Sequence, residues 1–132
     1  MALRRIILEM GTGNDLYGED YTKAARRAVQ DALHHSSITM FRSLGLNRDA
    51  MQVHVTIGVR HPERVDCKLV AAQIPFGTVV AVAEQGGLNV VDDEAGTTTV
   101  IAAAAVAASI ELPEGKFIYS KGAPSLPMGG CQ

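Results

Sequence analysis

The sequence predicts a single α/β domain, a mixed four-stranded sheet with two helices on one face. Three observations carry that reading. Residues 51–59, MQVHVTIGV, alternate without a break, the two-residue period of a half-buried strand. Within residues 21–33, Tyr21, Ala25, Ala28, Val29, Ala32 and Leu33 recur at helical spacing. Between a first apolar run and that helix lies MGTGNDLYGED, residues 10–20, whose glycines and acids mark a strand-to-helix connection.

Taken in order, Arg5 to Met10 reads as the first strand, with Ile6, Leu8 and Met10 on its core face and Arg5, Ile7 and Glu9 on the other. The glycine-rich connection follows, and Asp20 is placed to cap the helix, its carboxylate accepting from amides two and three residues on. Lys23, Arg26, Arg27, Gln30 and Asp31 fall mostly on the outer faces, and the helix fades near Ser36-Ser37. In the second strand Met51, Val53, Val55, Ile57 and Val59 face the core, and Gln52, His54, Thr56 and Gly58 face away. Pro62 suits a first helical position, and Val65, Leu69 and Ala72 give a short amphipathic helix ending before Pro75. TVVAVAE is the next strand, Gln85-Gly86-Gly87 a turn, and Leu88 to Val91 extends a hairpin. Residues 98–111 are ambiguous from pattern alone. Their alanines favour helix by propensity, whereas Thr97 to Ile101 and the Val106, Ser109, Ile110 pattern permit a buried strand of small residues. The tail KGAPSLPMGGCQ holds two prolines and three glycines and is irregular, so the core ends at residue 112 and residues 113–132 form a tail. Its Phe117, Ile118, Tyr119, Leu126 and Met128 are apolar enough to seek a groove on a neighbouring subunit.

The bulk numbers exclude several functions. One hundred and thirty-two residues make one domain. Twelve basic against fourteen acidic residues give a net charge of −2, and the Arg4-Arg5 and Arg26-Arg27 pairs are too short for a nucleic-acid footprint. Cys67 and Cys131 form no metal-ligand or disulfide pattern. No run approaches the ~20 apolar residues of a membrane span, and Glu9 interrupts the signal-like start, so a cytoplasmic protein without cofactor is expected.

For residues 11–20 two readings stay open. Gly11, Gly13, Asn14, Asp15 and Asp20 could form a loop whose exposed amides meet an anion or polarised carbonyl, with Lys23 and Arg27 one turn in. Alternatively the glycines only make a turn and Asp20 only caps. The spacing matches neither common nucleotide loop, and Asp15, Glu19 and Asp20 lack the alternation of a calcium loop, so no metal is assigned. His54 stands on the polar face of its strand, as a general acid or base in a shared cavity or as a hydrogen-bonded interface residue. His34-His35 at a helix end and His61 before Pro62 need no function, and the adjacent Ser120-Lys121 are poor candidates for nucleophile and base within one chain, although across subunits they could contribute. A sheet with one uncovered face invites oligomerisation.

Three stretches, GTGNDLYGEDYTKAARRAVQDALHHSS, MQVHVTIGV and PFGTVVAVAEQGGL, together resemble a family of short bacterial conserved hypothetical proteins over residues 5–90. Its G-x-G-x-D-x-x-G-x-D-x-T-x-A-A-x-R-A motif falls on Gly11, Gly13, Asp15, Gly18, Asp20, Thr22, Ala24, Ala25, Arg27 and Ala28. The element order is similar to the trimeric chorismate mutase fold, which favours the strand reading of residues 98–111 and implies a homotrimer or a multiple of one. It also resembles one repeat of the cyanuric acid hydrolase and barbiturase ring-opening amidohydrolases, whose D-[FY]-T-R stretch is similar to Asp20-Tyr21-Thr22-Lys23. Those enzymes use Ser–Lys pairs. This chain has no Ser-Gly-Gly, and Met10 or Gly11 stands about where the first-strand lysine would be. The resemblance implies a small cyclic amide or compact polar metabolite bound at subunit boundaries. The competing expectation is a non-catalytic trimeric partner subunit of a metabolic enzyme.

Overall fold

A computed structural model describes residues 2–35 and 45–112. Five strands and two α-helices follow one another as β1 (Ala2–Asp15), α1 (Tyr21–His34), β2 (Gln52–Val59), α2 (Cys67–Ala71), β3 (Thr78–Gln85), β4 (Leu88–Asp92) and β5 (Thr97–Leu112). Short 3-10 turns at Arg48–Ala50 and Pro62–Arg64 precede β2 and α2.

The alanine-rich segment is the central strand. β5 pairs antiparallel with β1 on one side and with β2 on the other, and β3 lies parallel beyond β2. β4 is a strand of its own, so the sheet has five strands and not four. It pairs with residues 97–101 of β5, in line with the end of β2. The chain reaches it by crossing the end of β2, where Gly86 lies so close to Gly58 that an added Cβ would stand 3.1 Å from the Gly58 Cα. Gly87, at φ +61°, then turns the backbone into β4.

Both helices pack on one face, and the core lies between them and the sheet. Its helix side is Tyr21, Ala24, Ala25, Ala28, Val29 and Ala32, and its sheet side includes Val53, Val55, Ile57 and the even-numbered residues of β5 from Val100 to Ala108. β2 therefore alternates as expected. α2 is shorter than its sequence pattern suggests, because Asp66 caps it by accepting from the amides of Lys68 and Leu69. A cap there separates the Pro62 turn from the helix proper.

β1 departs most from expectation. It does not end at Met10 but continues through Gly11, Thr12, Gly13 and Asn14 to Asp15, each in register with β5. Its faces are also reversed. Gly11, Gly13 and Asp15 are buried beneath α1, whereas Leu8 and Met10 are 47% and 68% exposed on the uncovered side. The reason is the closeness of the helix. A Cβ on Gly13 would stand 2.3 Å from the Ala28 nitrogen and 2.4 Å from the Ala24 oxygen. One on Gly11 would stand 2.4 Å from the backbone of both Ala28 and Ala32. Helix and strand meet backbone to backbone, and glycine against alanine is the combination that permits it.

Candidate functional site

Asp15 is the last residue of β1 and, among the described residues, the one charged side chain that is buried, at 5% exposure. Burying a carboxylate requires donors and counter-charge. Its Oδ2 accepts a hydrogen bond from the Asp20 amide at 2.9 Å. Its Oδ1 lies 3.7 Å from Lys23 Nζ and 3.9 Å from Arg27 Nη1, ion-pair distances beyond hydrogen-bond length. Both sequence readings place Asp15 in a loop or turn, whereas it is the buried end of a strand.

Residues 16–20 fold over this carboxylate and are held from several elements. Gly18 passes within 3.0 Å, measured from an added Cβ, of Asp15 Oδ2, which leaves no room for a larger residue without a shift. Glu19 takes the left-handed conformation at φ 48°, and its carbonyl accepts from Arg64 at 3.3 Å. That guanidinium also lies over the Tyr21 ring at 4.6 Å. Tyr21 is buried, and its hydroxyl accepts from Asn89 Nδ2 of β4 at 2.7 Å. The Thr99 hydroxyl of β5 donates to the Leu16 carbonyl at 3.3 Å. Asp20 caps α1 as expected, its Oδ1 accepting from the Lys23 amide at 3.0 Å. The connection and the first residue of α1 are thus held by the Pro62–Arg64 turn, β4 and β5.

The outcome is a cleft of about 380 Å³ lined by Asp15, Leu16, Tyr17, Asp20, Lys23 and Arg27. Tyr17 is 75% exposed and Leu16 50%, so each presents an apolar wall to solvent. The two cations keep their heads about half exposed. Arg27 is fixed in part by donating to the Asn14 carbonyl, at 2.6 Å.

Of the residues expected to bind a ligand, Asp15, Asp20, Lys23 and Arg27 come together. Asn14 contributes its carbonyl to Arg27, and not its side chain to the cleft. Gly11 and Gly13 are corrected: the space left by their missing side chains is filled by α1, and no ligand can reach it. His54 is separate, on the uncovered sheet face with Gln52, Val80 and Ala107 around a depression of about 260 Å³. Glu19 and Asp20 are committed to Arg64 and to the cap, and among the described residues no group of three or more His, Cys, Asp or Glu is placed to hold a metal. Sequence reasoning missed Leu16 and Tyr17 as cleft walls and Arg64 as the clamp. No helix among the described residues is long and apolar enough to cross a membrane.

Comparison with curated proteins returns no match. Among solved structures, the chain is similar to an FtsZ-like protein of unknown function from Nostoc punctiforme, at 36% identity and a TM-score of 0.74. The match covers 85% of this chain and 99% of that one. The family model described as "Conserved hypothetical protein (Lin0512_fam)" matches residues 5–108, from the start of β1 to near the end of β5 and with the whole Asp15–Asp20 connection inside it. The chain belongs to this conserved hypothetical family.

Proposed function

We propose that the chain is a binding protein for a compact polar molecule that carries a hydrogen-bond donor beside an acceptor, a cyclic amide or imide, taken into the cleft between β1 and α1. The observation that supports this is the buried Asp15 Oδ1, which faces Lys23 and Arg27 at distances too long for direct hydrogen bonds. An N–H placed there satisfies the carboxylate. An adjacent carbonyl accepts from the lysine or arginine. A simple anion would meet Asp15 and Asp20 as well as the two cations, so charge alone gives it little gain. A ring of five or six atoms fits the volume and can lie against Tyr17 and Leu16. The resemblance of Asp20-Tyr21-Thr22-Lys23 to a stretch of the ring-opening amidohydrolases points to the same ligand class.

Titration calorimetry with succinimide, hydantoin and barbiturate, with N-methylsuccinimide and succinate as controls, tests the reading. The imides are expected to bind, and the N-methyl compound and the dianion to bind at least about tenfold more weakly, since the donor is lost in both. Asp15→Asn keeps an acceptor for the Asp20 amide but removes the charge, and is expected to abolish imide binding. Equal binding of imide and N-methylimide, or full binding by Asp15→Asn, overturns the assignment.

A further inference from the structure

None of the described residues covers the sheet face opposite the helices, and its side chains follow from the strand register. Reading across β1, β5, β2 and β3, one row is Leu8, Ala107, His54 and Val80, and the next is Met10, Ala105, Thr56 and Val82. These two rows are bounded below by Arg5, Ser109, Gln52 and Thr78 and above by Thr12, Ala103, Gly58 and Glu84. Further up, Ile101 of β5 stands beside Leu88 of β4, and Thr99 beside Val90. Leu8, Met10, Val80, Leu88 and Val90 are between 47% and 68% exposed. Charged residues of this face are confined to its margins, at Arg5, Glu84, Asp92 and Glu111.

We infer that this face is the interface at which a second copy of the chain packs, sheet against sheet. Two features of the face favour a copy of itself over another occupant. The first is shape. Leu8 and Met10 form a ridge on one side and Val80 and Val82 one on the other, and between them the β5 alanines form a valley beside His54 and Thr56 of β2. A depression of about 480 Å³ lies over Met10, Thr12, Thr56, Ala103 and Ala105, with Asp31 of α1 at its β1 edge, and the one beside His54 flanks it. A two-fold axis seats each copy's ridge in the other's valley, and alanines let the sheets approach to the ~10 Å of packed sheets. The second is area. At about 4.8 Å between strands and 3.3 Å per residue, the face covers roughly 700 Å². That is close to the ~800 Å² per partner of a stable interface, and it is apolar on β1, β5 and β3, with the polar side chains His54 and Thr56 of β2 among them and acidic and basic residues at the rim. A monomer leaving such a patch in water is uncommon. The inference is independent of the ligand cleft, which lies at the β1–α1 connection.

Sedimentation velocity of the full chain across the micromolar range is the test. A dimer is expected. Met10→Lys and Val82→Lys place a charge on the apolar rows without touching the core, and each is expected to weaken dimerisation about tenfold or more. Leu69→Lys, at an exposure between those of Met10 and Val82 but on α2, is expected to leave it unchanged. Circular dichroism confirms that each variant is folded. A monomer throughout overturns the inference, as does a trimer, which cannot pair faces about a two-fold axis. So does a dimer insensitive to both lysines.

Discussion

Gly13 and Asp15 lie two residues apart on the same face of β1, and each is legible only once the helix above it is known. In sequence, Gly11 and Gly13 read as turn residues, because glycine most often signals a turn. Here they are packing residues whose missing Cβ lets α1 rest on the strand. That also explains the reversed face of β1. Hydrophobicity marks Leu8 and Met10 as core, but a strand in backbone contact with a helix has no room for them on that side. A direct consequence is that Gly13→Ala costs about 3 kcal/mol, at the upper end for overpacking, since the clash is with backbone and no rotamer can relieve it. Urea unfolding at equilibrium measures it. A loss below 1 kcal/mol, within the ordinary range of a tolerated Gly→Ala change, would mean that helix and strand are further apart than described.

At the scale of elements, the sequence carries β2 and α1 fully, because each repeats one period over at least two turns or four alternations. Asp20 was legible as a cap for the same reason, its carboxylate standing at the boundary of a clear helical pattern. The partner of β4 and the length of β1 were not, since the Gly86-Gly87 turn reads as a hairpin back onto β3, whereas β4 pairs with β5, and the glycines of β1 carry no period of their own. The open edge of β1 shows how α1 completes that strand. Asp31 of α1 accepts from the Thr12 amide at 2.9 Å, and Arg27 donates to Asn14, so side chains of the helix satisfy the strand's outward groups. The Thr12 amide first, and the nearby His35 second, hold the Asp31 carboxyl below its ordinary value. A carboxyl depressed in the folded state binds fewer protons there than in the unfolded chain, so its stabilisation is present above the ordinary carboxylate range. It is lost as pH falls through the lowered value. Asp31→Ala is therefore expected to lower the thermal midpoint at neutral pH, and the gap to the parent protein should close as the pH drops below about 4. A gap of constant size from pH 7 to pH 2 would show that Asp31 contributes through packing and not through its charge.

For the molecule as a whole, the Asp15 cleft lies at one corner and the open sheet face behind it, and the chain connects the two through β5. That central strand lines the open face with alanines, holds the cleft's connection through Thr99, and ends at Leu112 opposite Ala2. Residues 113–132, expected to lie along a neighbouring subunit, fall outside the described residues. Their sequence nevertheless fixes what their removal should do. Every buried residue among those described lies within residues 11–110, so a chain ending at Leu112 keeps all of them. Twenty residues reach at most about 66 Å when extended, more than the length of the open face, and they leave β5 at that face's lower margin. With Phe117, Ile118, Tyr119, Leu126 and Met128 they offer apolar side chains to whatever lies beyond it. The truncated chain is expected to unfold in urea with the full chain's midpoint at high dilution, where assembly contributes nothing. At high concentration its midpoint should rise less than that of the full chain, because stability gained by association follows mass action. A truncated chain whose midpoint tracks the full chain's at every concentration would show that the tail takes no part in any association.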